Sequence, residues 1–204
     1  MRTLYTLLLG LSLLLSAASA QALGFDLAAG CSSCQGITGG LDIVDGGGSF
    51  SVTLTLNSDG YTGDRSGFNQ VGFGAIQSWT SVTLDSAPAS TTTAWSSPVE
   101  AVTAANSLCE VGTSSDKVCT FGFADITGGG DHVWKFTVTG GTLKVGPDAE
   151  WHIGAQFANG PGTARGQIIS EEGTPGPPIP EPTAAMVFGI CALVVARRTR
   201  CHQA

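Results

Sequence analysis

Positive charge is scarce in this chain of 204 residues, where nine lysines and arginines face 16 aspartates and glutamates for a formal net charge of -7. The stretch from 23 to 175 carries 15 of the acids and only Arg65, Lys117, Lys135, Lys144 and Arg165 as bases. Such a surface repels phosphate and excludes nucleic acid as a partner, since backbone binding needs clustered lysine and arginine. Charged residues of both signs make up 12 % of the chain, about half the usual share of about 25 %, too few to solvate long helices. No two of the three histidines stand at metal-site spacing, so neither a metal nor another cofactor is expected. A nucleophile elbow is missing, as is a glycine-rich loop followed by a phosphate-holding lysine. No catalytic residue is assigned, and the chain reads as non-enzymatic. Glycine is what the sequence has in excess, with 26 among the 153 residues from 23 to 175 against an ordinary share of about 7 %. That length buries one core and leaves little room for a second domain.

Both ends read as addresses. Residues 1–22 hold one cation, Arg2, then the apolar run Leu7 to Leu15, then small residues in two cleavage frames, Ala18-Ser19-Ala20 and Ala20-Gln21-Ala22. This is the pattern of a secretory signal peptide. At the other end five of the nine prolines fall between Pro175 and Pro182, so residues 174–179 read as a stiff extended linker that bounds the domain 23–173. Residues 183–196 then form an apolar segment, followed by Arg197, Arg198 and Arg200. As a helix those 14 residues span roughly 21 Å, short of a bilayer core of about 30 Å. The arginines would keep the tail cytoplasmic while the domain lies outside.

Pro180-Glu181-Pro182, a short apolar helix and a basic cluster, in that order at the C-terminus behind an N-terminal signal peptide, resemble the PEP-CTERM sorting signal of Gram-negative bacteria. The resemblance covers about residues 178–201, makes 180–204 the sorting signal, and implies an exosortase-like membrane transpeptidase as partner. Pro180, Glu181 and Pro182 would be its recognition triplet, and Arg197, Arg198 and Arg200 the stop signal. It further implies transient residence in the inner membrane through the helix 183–196, followed by transfer to the cell surface or the extracellular matrix. The family's link to exopolysaccharide makes extracellular polysaccharide a candidate partner. The trailing Cys201-His202-Gln203-Ala204 and the helix length depart from the family pattern.

Between the ends, period-two alternation dominates. Phe50, Val52, Leu54 and Leu56 alternate with hydroxyl residues; Trp134, Phe136 and Val138 repeat the pattern, and so do Trp151, Ile153, Ala155 and Phe157. Weaker strands are expected over 71–79, 82–84, 118–123, 142–145 and 166–170. Glycine-rich turns separate them at 45–48, 59–60, 127–130, 140–141 and 159–162. The expected fold is all-β, a two-layer antiparallel β-sandwich. One helix is expected over 97–107, because Ser97-Pro98-Val99-Glu100 has the form of a capping box with proline at the first helical position.

Cys31, Cys34, Cys109 and Cys119 lie in the exported stretch and suit an oxidising compartment. Four cysteines allow three connectivities, of which Cys109 with Cys119 and Cys31 with Cys34 is favoured. The alternative for Cys31-Ser32-Ser33-Cys34, a redox dithiol, lacks the strand-then-helix context that lowers a thiol pKa. Asn57-Ser58-Asp59-Gly60 with Asp64 offers oxygens to calcium without regular acidic spacing and reads as a hairpin turn. His152 and Gln156 share the polar face of one strand, read as solvated, and His132 reads as a strand-edge residue. Alternation sends Trp134 and Trp151 to the core. Trp79 and above all Trp95 are left as exposed candidates, and Trp95 is the candidate sugar contact. Two function classes remain: a structural or adhesive envelope or matrix protein, and a carbohydrate-binding module or polysaccharide-active enzyme of the matrix.

Overall fold

A computed structural model of the chain describes residues 22–27, 34–89, 94–104, 107–111, 116–146, 148–160, 168–173 and 176. The signal peptide to residue 21, the linker apart from Gly176, and the whole of 180–204 with the apolar segment 183–196 lie outside the described residues. Eleven strands form two antiparallel sheets, and among the described residues there is no helix. In chain order they are β1 (Ala22–Asp26), β2 (Thr38–Asp45), β3 (Ser49–Asn57), β4 (Gly67–Gly74), β5 (Ile76–Ser86) and β6 (Val99–Ala104). There follow β7 (Ser107–Val111), β8 (Val118–Asp125), β9 (Asp131–Leu143), β10 (Trp151–Ala158) and β11 (Ile168–Gly173). The first sheet runs β1-β2-β3-β9-β5 and the second β11-β10-β4-β8-β6-β7.

The alternation decides which face each long strand buries. On β3 and β9 the register sets Leu54 opposite Trp134 and Val52 opposite Phe136, and all four are buried. On β10 and β4 it sets Ile153 opposite Phe73 and Ala155 opposite Val71, again buried. The two apolar faces meet between the sheets, where Phe68 stands edge-on to Trp134 at 5.9 Å and Phe73 to Phe136 at 5.1 Å. Large aromatic rings meeting edge to face stabilise such a core beyond their area alone.

Several expectations are corrected. The segment 97–107 is not a helix, since β6 and β7 occupy most of it. Ser96 is already tied to β8 by its amide on the Phe121 carbonyl at 2.7 Å, and its carbonyl accepts from Thr120 Oγ1 at 2.7 Å. An extended residue before Pro98 is the conformation proline favours; Val99, Val102 and Thr103 then suit a strand, and Val99 pairs with Cys119. Gly140 and Gly141 do not end a strand. They sit inside β9 with φ of 69° and 82°, opposite a register shift between Trp79 and Ser81 of β5, so they kink the pair as a bulge. The expected strand 71–79 breaks at Ala75, where the chain leaves the second sheet for the first. Residues 82–84 belong to β5 and 142–143 to β9. The turn at Asp59-Gly60 closes with the Tyr61 amide on the Ser58 carbonyl at 3.1 Å. It joins β3 to β4 of the opposite sheet instead of closing a hairpin.

The expectation that His152 and Gln156 face solvent also fails: they are 5 % and 0 % exposed. Their face of β10 carries a further layer. β7 lies against β4 and β10, and the Cys109 amide donates to Gln70 Oε1 at 3.2 Å. Gln70 is the register partner of Gln156, so the folded-back hairpin β6–β7 roofs a row of buried polar side chains.

Candidate functional site

Pro180, Glu181, Pro182, Arg197, Arg198, Arg200 and Cys31 lie outside the described residues. Cys109 and Cys119 form a disulfide with Cα atoms 5.6 Å apart, joining β7 to β8. Cys34 is buried and disulfide-bonded.

Trp95 is half-buried, so it is not the exposed platform expected for a sugar. Its ring stands edge-on to Trp134 at 5.2 Å and covers Gly122. Its Nε1 is buried with no acceptor among the described residues. The residue lies where the chain crosses from β5 to β6 and packs against the core, as does Trp79, which is also half-buried.

His132, read as a strand-edge residue, stands near the start of β9 but is buried, with Nε2 2.9 Å from Ser58 Oγ. Burial holds the imidazole below its ordinary pKa of 6.5, against the raising influence of Asp131 and Asp125. A serine beside an imidazole is the start of a nucleophile pair. Here, however, Ser58 is 3 % exposed, and its amide donates to the Gly130 carbonyl at 2.9 Å. The neighbouring carboxylates are engaged elsewhere: Asp131 Oδ1 accepts from Asn57 Nδ2 at 2.8 Å, and Asp125 Oδ1 accepts from Thr127 Oγ1 at 2.7 Å. The pair therefore clamps the loop after β3 onto the head of β9. Those two bonds from Thr127, hydroxyl and amide, hold the Asp125 carboxyl below its usual range. Asp59, of the oxygen-rich segment 57–60, accepts the Gly130 amide at 2.8 Å. Among the described residues no three His, Cys, Asp or Glu side chains converge as metal ligands.

A concave surface lies elsewhere among the described residues. The start of β5, the end of β9 and the connection to β10 enclose an open depression of about 560 Å³, within the range of roughly 300–1,000 Å³ usual for ligand sites. Gln77, Thr142, Lys144, Asp148 and Glu150 supply polar groups; Leu143, Val145 and Ala149 supply aliphatic surface. Its walls are tied to the fold. The Lys144 amide donates to the Ala75 carbonyl at 2.9 Å, the Lys144 carbonyl accepts from Trp151 Nε1 at 2.8 Å, and the Ala149 amide reaches the Gly146 carbonyl at 3.2 Å. Sequence reading missed this site because Gln77 lies more than 60 positions before its other members, so no local spacing marks it.

Comparison with protein-family models, with curated proteins and with solved structures finds no match to this chain.

Proposed function

We propose that the chain is an exported protein of the bacterial envelope or extracellular matrix, non-enzymatic and structural or adhesive, delivered by its signal peptide and sorted through a PEP-CTERM tail. The observation that carries this reading is the Cys109–Cys119 disulfide, joined by the bonded state of Cys34. Disulfides form and persist in oxidising compartments, and in the reducing cytosol they are rare. An acidic domain, with 15 acids against five bases over 23–175, repels anionic polymers.

In this reading an exosortase-like transpeptidase recognises Pro180-Glu181-Pro182 while residues 183–196 sit in the inner membrane and Arg197, Arg198 and Arg200 stop transfer. The two cysteine pairs are Cys109 with Cys119 and Cys31 with Cys34. Of the structural and adhesive branches, the depression beside β5 favours adhesion, because it offers a concave surface of mixed polarity with a fixed backbone. Fractionation of a native host tests the localisation. The protein is expected in the surface or released fraction with its cysteines oxidised; recovery in the cytosol with reduced cysteines would overturn the proposal.

A further inference from the structure

We infer that the depression formed by β5, β9 and residues 144–146 and 148–150 is a binding site for a neutral glycan. The inference rests on the adhesive reading and gives it a ligand class. Two independent observations meet here. The depression is the concave surface just described, and Val145, 66 % exposed, is the exposed large hydrophobic side chain of the described residues and lies in its lining. A single exposed valine on a convex surface needs no explanation. In a concavity among polar groups it provides the apolar patch on which the C–H face of a sugar ring can rest, the role elsewhere filled by an aromatic ring.

The polar set selects the ligand. Asp148 and Glu150 are acceptors, Lys144 is a donor, and Gln77 and Thr142 are both. Vicinal hydroxyls each donate and accept, so a polyol complements a lining that mixes acceptors, donors and groups that are both. A peptide backbone presents its amide donors and carbonyl acceptors separately and at fixed spacing, a less adaptable match to this mixed lining. An anionic polysaccharide meets two carboxylates against one ammonium here, on a domain with 15 acids and five bases, so charge disfavours it. Specificity of this kind comes from polar partners held in place before binding. The Lys144 amide on Ala75, the Ala149 amide on Gly146 and Trp151 Nε1 on the Lys144 carbonyl fix the backbone from which these side chains project.

The test titrates the purified full chain in detergent with neutral hexasaccharides (cellohexaose, mannohexaose and maltohexaose) and with the anionic hexagalacturonate, followed by calorimetry and by ligand-observed magnetic resonance. At least one neutral probe is expected to bind with Kd near or below about 1 mM. Asp148→Asn and Gln77→Ala should each weaken it about tenfold, a loss typical of one charged or bidentate hydrogen bond. Both residues are exposed, so unfolding is not expected, and an unchanged melting temperature verifies it. Thr83→Ala, further along β5 and outside the lining, should leave binding unchanged. Failure of all three neutral probes, preference for hexagalacturonate, or binding indifferent to both substitutions would overturn the inference. Since the experiment needs no sorting enzyme, its failure leaves the localisation to be judged separately by fractionation.

Discussion

The indole of Trp95 occupies the space that a side chain on Gly122 would need: a Cβ placed there would lie 2.7 Å from Trp95 Cγ and 2.8 Å from Cε2. Carbon atoms cannot approach so closely, so glycine at 122 and tryptophan at 95 are one packing decision. Gly122→Ala should push the ring off β8 and off Trp134, costing about 1–3 kcal/mol as overpacking does. Trp95→Ala should cost about 2–3 kcal/mol, less than a fully buried tryptophan, because the ring is only half-buried. Together the two should cost less than their sum, since the alanine at 122 no longer meets a ring. Urea denaturation of the four proteins measures this; strict additivity would show that the two residues do not share the space.

A second prediction concerns the disulfide that fastens β7. Cys109 and Cys119 close a loop with a sequence separation of ten, worth about 2–3 kcal/mol in the chain-entropy model. Cys109→Ser with Cys119→Ser should lower stability by that amount and accelerate amide exchange at Cys109, whose amide is held by Gln70. Exchange as slow as in the parent would mean that β7 is fastened by other contacts. In the parent, native alkylation should label none of Cys31, Cys34, Cys109 and Cys119.

The third prediction follows from His132. Burial lowers its pKa in the folded protein below the ordinary 6.5, while the unfolded chain retains that value. Below pH 6.5 the unfolded state therefore binds a proton that the folded state resists, and stability falls as pH drops towards the folded value. His132→Gln should flatten the curve between about pH 7.5 and about pH 5.5, with the acidic limb left to groups such as Asp125. Denaturation midpoints at both pH values decide it; an unchanged pH slope in the variant would remove His132 as the cause.

The strands that alternation marked over seven or more residues, at 50–57, 132–139 and 151–157, are present and bury the face that alternation assigned. A strand packed on one apolar face must alternate, so the signal is local. Where structure depends on distant pairing, the local signal fails. Ser97-Pro98-Val99-Glu100 carries every mark of a helix start, yet pairing with Cys119 and Val118 keeps Val99 and Glu100 in a strand. His152 and Gln156 alternate as a solvated face should. Only the folded-back hairpin buries them, and nothing within β10 announces a second layer. The Ser58–His132 contact spans 74 positions. The depression joins the start of β5 to the connection before β10, so both sites arise from topology and not from spacing.

The last prediction is the removal of the tail. Residues 183–196, as a helix, would span roughly 21 Å, about two thirds of a bilayer core of about 30 Å, and a permanent anchor of that length is poorly matched. A transient anchor needs only to present the preceding extended segment to a membrane enzyme. Pro180 and Pro182 would suit that task because proline has no amide to donate and would resist incorporation into a helix over 183–196. In a host carrying the sorting enzyme the surface form should therefore end near Pro182. Under the proposed sorting, Glu181→Ala should leave a longer form in the inner membrane, because the triplet would be lost while Arg197, Arg198 and Arg200 would still stop transfer. Intact-mass spectrometry of the released fraction decides between the two fates: a C-terminus running through Ala204 in released protein would return the tail to a simple anchor.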